Sequence, residues 1–325
     1  MFLIDRNLRA VLGIVLFLIA FSIVPSVHAI SVVATVTVGT SPQSLAYDSG
    51  KGEVFVANYV SNSVSVIDHT TNMVVATVNV GSGPQGVAYD SSKGMVFVAN
   101  SLSNTVSVIH DTTNTVVATV NVGNLPDGVA YDSSKSEVFV ANYLSDSVSV
   151  ISISSLTKDK VVATVRVGIS PIGVVYDSGK GEVFVANLGS GTVSVIRDTN
   201  NVVIATVNVG TSPIGVAYDH GKAEVFVANN GANSVSVIRD TNNVVVATVK
   251  VGSSPQGVAY DFGKGEVFVA SYGSNSVSVI HDTNNRVVAT VNVGTSPQGV
   301  AYDHGKGEVF VANSGSDTVS VISDS

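Results

Sequence analysis

Downstream of residue 30 the hydrophobic positions fall into short Val-rich runs separated by clusters of Gly, Asn, Asp, Ser and Pro. Between Pro84 and Gly123 the runs are Gly86 to Asp90, Met95 to Asn100, Thr105 to His110 and Val116 to Val122. Val, Ile, Thr, Phe and Tyr dominate them, the residue types that fit a pleated, half-buried backbone. The connections Asp-Ser-Ser-Lys-Gly, Ser-Leu-Ser-Asn, Asp-Thr-Thr-Asn and Gly-Asn-Leu-Pro each supply a residue that turn dihedrals favour. Runs such as V-F-V-A are contiguous rather than alternating, which predicts strands covered on both faces. No segment after residue 30 carries a helical periodicity of useful length.

This unit recurs. Prolines at 42, 84, 126, 171, 213, 255 and 297 mark seven copies, spaced by 42 residues five times and by 45 once. A fixed period of this size, built from strands, marks an array whose units bury their faces against one another. The expected fold class is all-β: a seven-bladed β-propeller over residues 30–325, with four antiparallel strands per blade. The last copy stops after its third strand, Thr318 to Ile322, and the missing V-A-T-V strand stands at Val32 to Val38. Pairing these two closes the ring and removes an open blade edge. A Phe in each second strand (Phe55 and its copies) and a Tyr in each first strand (Tyr47 and its copies) are expected between blades. The longer spacing arises in repeat three, whose turn Ser152 to Lys160 carries Ile153 and Leu156; a tolerated loop insertion is the ordinary reading of it, and a docking knob on the bottom face the alternative.

Residues 1–29 lie outside the repeat. Arg6 and Arg9 precede Ala10 to Val24, which is apolar but for Gly13 and Ser22, and Val27-His28-Ala29 follows. This is the layout of a secretory signal peptide, with an uncleaved N-terminal anchor as the alternative. Either takes the propeller out of the cytoplasm, to a secreted, periplasmic or cell-surface location, with membrane contact only through residues 1–29. The chain has no cysteine, so disulfides, thiolate metal sites and covalently attached haem are excluded. Residues 30–325 carry 14 basic and 23 acidic side chains, a balance that argues against nucleic acid.

The pattern Pro-x-Gly-Val-Ala-Tyr-Asp, V-F-V-A-N, S-V-S-V-I-D and V-V-A-T-V-x-V-G resembles the YVTN β-propeller family. The tetrapeptide that names the family stands here as Phe55-Val56-Ala57-Asn58 and its copies, with Ser271 the one departure at the Asn position. The resemblance runs over residues 32–325. It implies a cell-envelope or archaeal surface-layer propeller. The family is also similar to the haem d1 propeller of nitrite reductases and to lactonase and quinoprotein propellers. The resemblance therefore leaves two classes open, a binding or structural module and a propeller enzyme.

Sorting charges by turn separates these classes. First-to-second and third-to-fourth turns share one face, the bottom; second-to-third turns and inter-blade connections share the other, the top. Nearly all charges of residues 30–325 fall on bottom turns, and the top keeps only Asp127, Asp146 and Asp317. His69, His110, His220, His281 and His304 all map to the bottom, in turns where surface histidines are ordinary. The repeated Asp…Lys-Gly-Glu turn is expected as an Asp-capped hairpin whose Lys screens the carboxylates, and Asn58 and its copies as turn caps. Acid–base or nucleophilic catalysis needs titratable groups at the site, and the top offers no His, Lys, Arg, Glu or Cys. The expectation is no catalysis, no cofactor and no metal.

The residue after each proline is expected to approach the central opening: Gln43, Gln85, Asp127, Ile172, Ile214, Gln256 and Gln298. Two adjacent blades are apolar there, one is acidic and four carry amides, so the opening is lopsided. Leu125, Tyr143, Ile169, Leu188 and Tyr272 add apolar surface nearby. Such a face suits a protein or a neutral glycan, or self-association.

Overall fold

The computed structural model describes residues 30–153 and 159–323. Residues 1–29, where a leader is expected, and Leu156 of the long turn in repeat three lie outside them. The described residues form seven four-stranded antiparallel sheets. Blade 1 runs Pro42–Asp48, Glu53–Asn58, Ser63–Asp68 and Met73–Asn79, from the inner strand to the outer. Blade 7 combines Pro297–Asp303, Glu308–Asn313 and Thr318–Ser323 with the N-terminal strand Ser31–Thr37. That closing strand pairs Val32 with Ile322 and Val36 with Val319, as the split repeat predicts. Among the described residues the helical content is two single 3₁₀ turns, Asn230–Ala232 and Tyr272–Ser274. No helix among the described residues is long and apolar enough to cross a membrane.

The core lies between blades. Phe55 and its six copies are fully buried. Phe55 packs with Val96, Val98 and Ile109 of the next blade, so one aromatic ring ties two sheets together. Burying each such ring contributes roughly 1.5–3 kcal/mol.

The bottom turns form a second, polar set of ties. Asp48 ends its inner strand fully buried, and its Oδ1 accepts the N–H groups of Gly50 at 2.8 Å and Lys51 at 3.2 Å. The Asp cap is thus as expected, but the lysine does something else. Lys51 Nζ crosses to blade 2 and donates to the carbonyl of Asp111 at 2.7 Å. Lys93 does the same to Ile153 at 2.8 Å, and Lys306 to His69 at 2.6 Å across the seam between blades 7 and 1. These lysines are inter-blade tethers. The first-strand tyrosines join them: the Tyr89 hydroxyl donates to Asp111 at 3.3 Å and lies against Asp48 of the preceding blade. Burial and that neighbouring carboxylate push the hydroxyl well above its ordinary range.

Two further expectations are corrected. Ile153 stands where blade 2 has Asp111, and it is buried in the junction between blades 2 and 3. Ile153, at the start of the long turn, is therefore part of the core and contributes no exposed surface to a knob. The strand-ending asparagines are also more than caps of their own turns. Asn142 is fully buried and donates to Ser147 Oγ at 3.2 Å and Ser149 Oγ at 3.0 Å. Its Oδ1 accepts the N–H of Gly123 at 3.0 Å, which anchors the connection entering the blade.

Candidate functional site at the channel mouth

Each inner strand slips out of register just after its proline. In blade 3, Pro126 pairs with Asn142 but Val129 pairs with Val140, which leaves Asp127 and Gly128 opposite a single residue. A bulge of this kind ends regular pairing and re-aims side chains. The slip recurs between Pro171 and Val174 and between Pro213 and Val216. All seven positions marked in the sequence, Gln43, Gln85, Asp127, Ile172, Ile214, Gln256 and Gln298, line one cavity of about 330 Å³ on the propeller axis.

The residue after each of these is Gly in six blades and Ser44 in blade 1. The reason is contact between neighbouring backbones. A β-carbon built on Gly173 would overlap the carbonyl oxygen of Ile214, and one on Gly215 that of Gln256. The upper channel wall is therefore continuous main chain, and the lining side chains rise from it.

Those side chains are not equivalent. The carboxamide nitrogen of Gln43 donates to Ser41 Oγ at 2.8 Å, and that of Gln298 to Ser314 Oγ at 3.1 Å. Asp127 has no hydrogen bond or ion pair among the described residues, and burial within the channel pushes its carboxyl up to about 6. The other two top-face acids are occupied. Asp146 Oδ1 accepts the N–H of Ser170 at 2.9 Å, and Asp317 Oδ1 that of Ser41 at 2.8 Å. Next to Asp127 the backbone is strained: Leu125 adopts φ 49°, where five other blades place Ser and blade 2 places Gly83. For a bulky residue that conformation costs roughly 1–2 kcal/mol. Its N–H donates to Asn104 Oδ1 at 2.9 Å, and its carbonyl accepts Tyr143 N–H at 3.0 Å.

Around the mouth, the apolar surface differs from the sequence expectation. Ile169 and Tyr272 are exposed, whereas Leu125, Tyr143 and Leu188 are half-buried. Val60, Leu102 and Leu144 were not singled out in the sequence, yet they are 59, 58 and 62 % exposed. They occupy the second position of the second-to-third turns in blades 1 to 3. Blades 4 to 7 have Gly189, Gly231, Gly273 and Gly315 there. Aligning the seven turns shows this aliphatic-for-glycine exchange; adding up hydrophobicity along the chain does not.

The bottom face holds most titratable groups, and they belong to blade junctions. Burial raises Glu53, Glu137, Glu182 and Glu224, with Lys51, Lys135, Lys180 and Lys222 opposing the shift. Burial and the adjacent Asp177 raise Asp240. Structural ion networks of this type perturb acids without implying catalysis. His220 and His304 are exposed and His110 and His281 partly so, as surface histidines in turns are expected to be; His69 is the most enclosed of the five. His69 Nδ1 lies 2.6 Å from Asp303 Oδ2, and Tyr47 packs against both His69 and His304. Phe262 lies between His220 and His304 and touches both rings. Among the described residues no group of three or more His, Asp or Glu is placed to hold a metal ion.

The propeller is similar to a chain of Kuenenia stuttgartiensis hydrazine synthase, with a TM-score of 0.77 and 19% identity over 88% of this chain and 96% of that one. At that identity the likeness shows the fold and nothing of the chemistry. In all, 1581 solved chains match, so the architecture does not select a function by itself. No family model matches the chain, and no curated protein matches it.

Proposed function

We propose that the chain is an exported, non-catalytic β-propeller of the cell envelope whose top face binds a partner protein around the channel mouth. One observation carries the reading. Val60, Leu102 and Leu144 are exposed on a face with almost no charge, at turn positions where the other four blades have glycine. Exposed apolar surface rimmed by polar groups is the usual mark of a protein-interaction site. Aliphatic side chains on the rim, with Ile172 and Ile214 in the channel, favour a protein over a neutral glycan, which would be held by aromatic stacking. Asp127 stands without a second acid or base, whereas acid–base chemistry needs a positioned titratable partner for the reacting group. The leader-like residues 1–29 and the resemblance to YVTN propellers support the envelope assignment.

A random peptide library and a panel of neutral glycans offered to the purified protein test this, together with its absorption spectrum and metal content. The reading expects peptides to be selected and then lost when Leu102 and Leu144 are changed to Gly. Selection of glycans alone, or a stoichiometric chromophore or metal, contradicts it.

A second reading, lateral self-association, is favoured by the outer strands, which expose Val33, Val75, Val117 and Val288 along unpaired edges. Concentration-dependent sedimentation that disappears in Val75→Lys, Val117→Lys would support it; a monomer at all concentrations excludes it.

A further inference from the structure

We infer that the channel mouth is a receptor for an ammonium group on an aliphatic stem, presented as a lysine side chain by the partner protein. This rests on the protein-binding reading above and names the chemistry at its centre.

The argument starts from Asp127. It lines the axial cavity and has no donor of its own among the described residues. The flanking positions, Gln85 on one side and Ile172 on the other, offer no charge. Arg166 and Lys250 stand at the top ends of outer strands, paired with Ser147 and Ser234, away from the axis; no Lys, Arg or His lines the cavity itself, so its wall supplies no cation to this carboxylate. Asp127 is half-buried at the mouth, and a carboxylate that has lost part of its hydration without gaining a partner is favoured by an incoming cation.

The surroundings then choose among cations. The carboxamide nitrogens of Gln43 and Gln298 are engaged with Ser41 and Ser314, which leaves their carbonyl oxygens as acceptors. A calcium-type ion wants six to eight oxygen ligands, and its protein sites draw on several carboxylates. Here one carboxylate sits beside Ile172 and Ile214, an arrangement that suits a charged head on an apolar stem. Blade 3 also holds the strained Leu125 beside this group, so the departures from the repeat gather at one point of the ring.

The test uses two probes of equal length, n-hexylammonium and n-hexanol, followed by methyl NMR of Ile172 and Ile214. Hexylammonium should move these methyls at concentrations where hexanol does not. Asp127→Asn should weaken hexylammonium about tenfold or more while leaving hexanol unchanged. Ile172→Gln with Ile214→Gln should weaken the ammonium without abolishing its dependence on Asp127; that variant is read through the Val129 methyls. Equal response to both probes, undiminished hexylammonium binding in Asp127→Asn, no response to either probe, or displacement by millimolar calcium each overturns the inference. Peptides still selected by the top face in any of those cases leave the broader protein-binding reading standing.

Discussion

His69 of the first blade meets Asp303 of the seventh, with Nδ1 2.6 Å from Oδ2. The carbonyl of the same His69 takes Lys306 Nζ at 2.6 Å. The seam where the two chain ends come together is thus tied near the bottom of the ring as well as by the closing strand. Changing His69 to Ala removes one partner of a fully buried carboxylate that keeps the Tyr47 hydroxyl beside it, which costs about 1–1.5 kcal/mol. Denaturant unfolding should show that loss, whereas His110→Ala, a half-exposed ring in the matching turn, should stay within about 0.5 kcal/mol. Equal stabilities for the two variants would show that the seam contact is idle.

The closing strand makes a separate prediction. Deleting residues 30–39 removes Ser31–Thr37 and turns Thr318–Ser323 into an uncovered edge. The deletion should lower the melting temperature and promote aggregation, because an exposed edge strand templates pairing with another chain. An unchanged melting curve would mean that the ring closes elsewhere.

Contact between neighbouring inner strands is also testable. Gly173→Ala places a methyl on the carbonyl of Ile214, and overpacking against main chain costs about 1–3 kcal/mol. Ser44→Gly in blade 1, where the repeat already tolerates a side chain, should cost less. Unfolding titrations of the two variants give the comparison; a neutral Gly173→Ala would mean that the channel wall yields.

Most of the architecture was legible because strand propensity, turn chemistry and a repeated period agree at every level. The split last repeat showed the closure in the same way, as Val32 and Ile322 demonstrate by pairing. What stayed hidden depends on partners distant in sequence. Lys51 reads as a local screen, and only the ring brings Asp111 of the next blade to its tip. Ile153 reads as part of an inserted loop until the junction of blades 2 and 3 covers it. The channel positions were visible from the residue after each proline, whereas the exposure of Val60, Leu102 and Leu144 depends on how each turn sits on its blade.

Acidity should report on Asp127. Burial raises its carboxyl from 3.8 to about 6, so the folded state favours the protonated form. The associated stability is present below the unfolded value and is lost as pH rises through about 6. No other channel-lining position ionises, and Asp146 and Asp317, the remaining top-face acids, are held by backbone N–H groups. Asp127→Asn should match the parent near pH 3.5 and exceed it near pH 8 by on the order of 1 kcal/mol, discounted because the mouth is open to water. A constant difference across that range would mean that Asp127 is solvated like any surface acid.

The central claim is that a protein partner docks on the top face around the channel mouth. The most direct measurement is the affinity of a selected peptide for the parent protein and for the double variant Ile172→Gln, Ile214→Gln, with circular dichroism confirming the fold. Loss of two buried apolar anchors should weaken binding about tenfold or more, with both proteins equally folded. Unchanged affinity, or protection from exchange mapping to the bottom turns around Phe262, would place the interface on the other face and contradict the account.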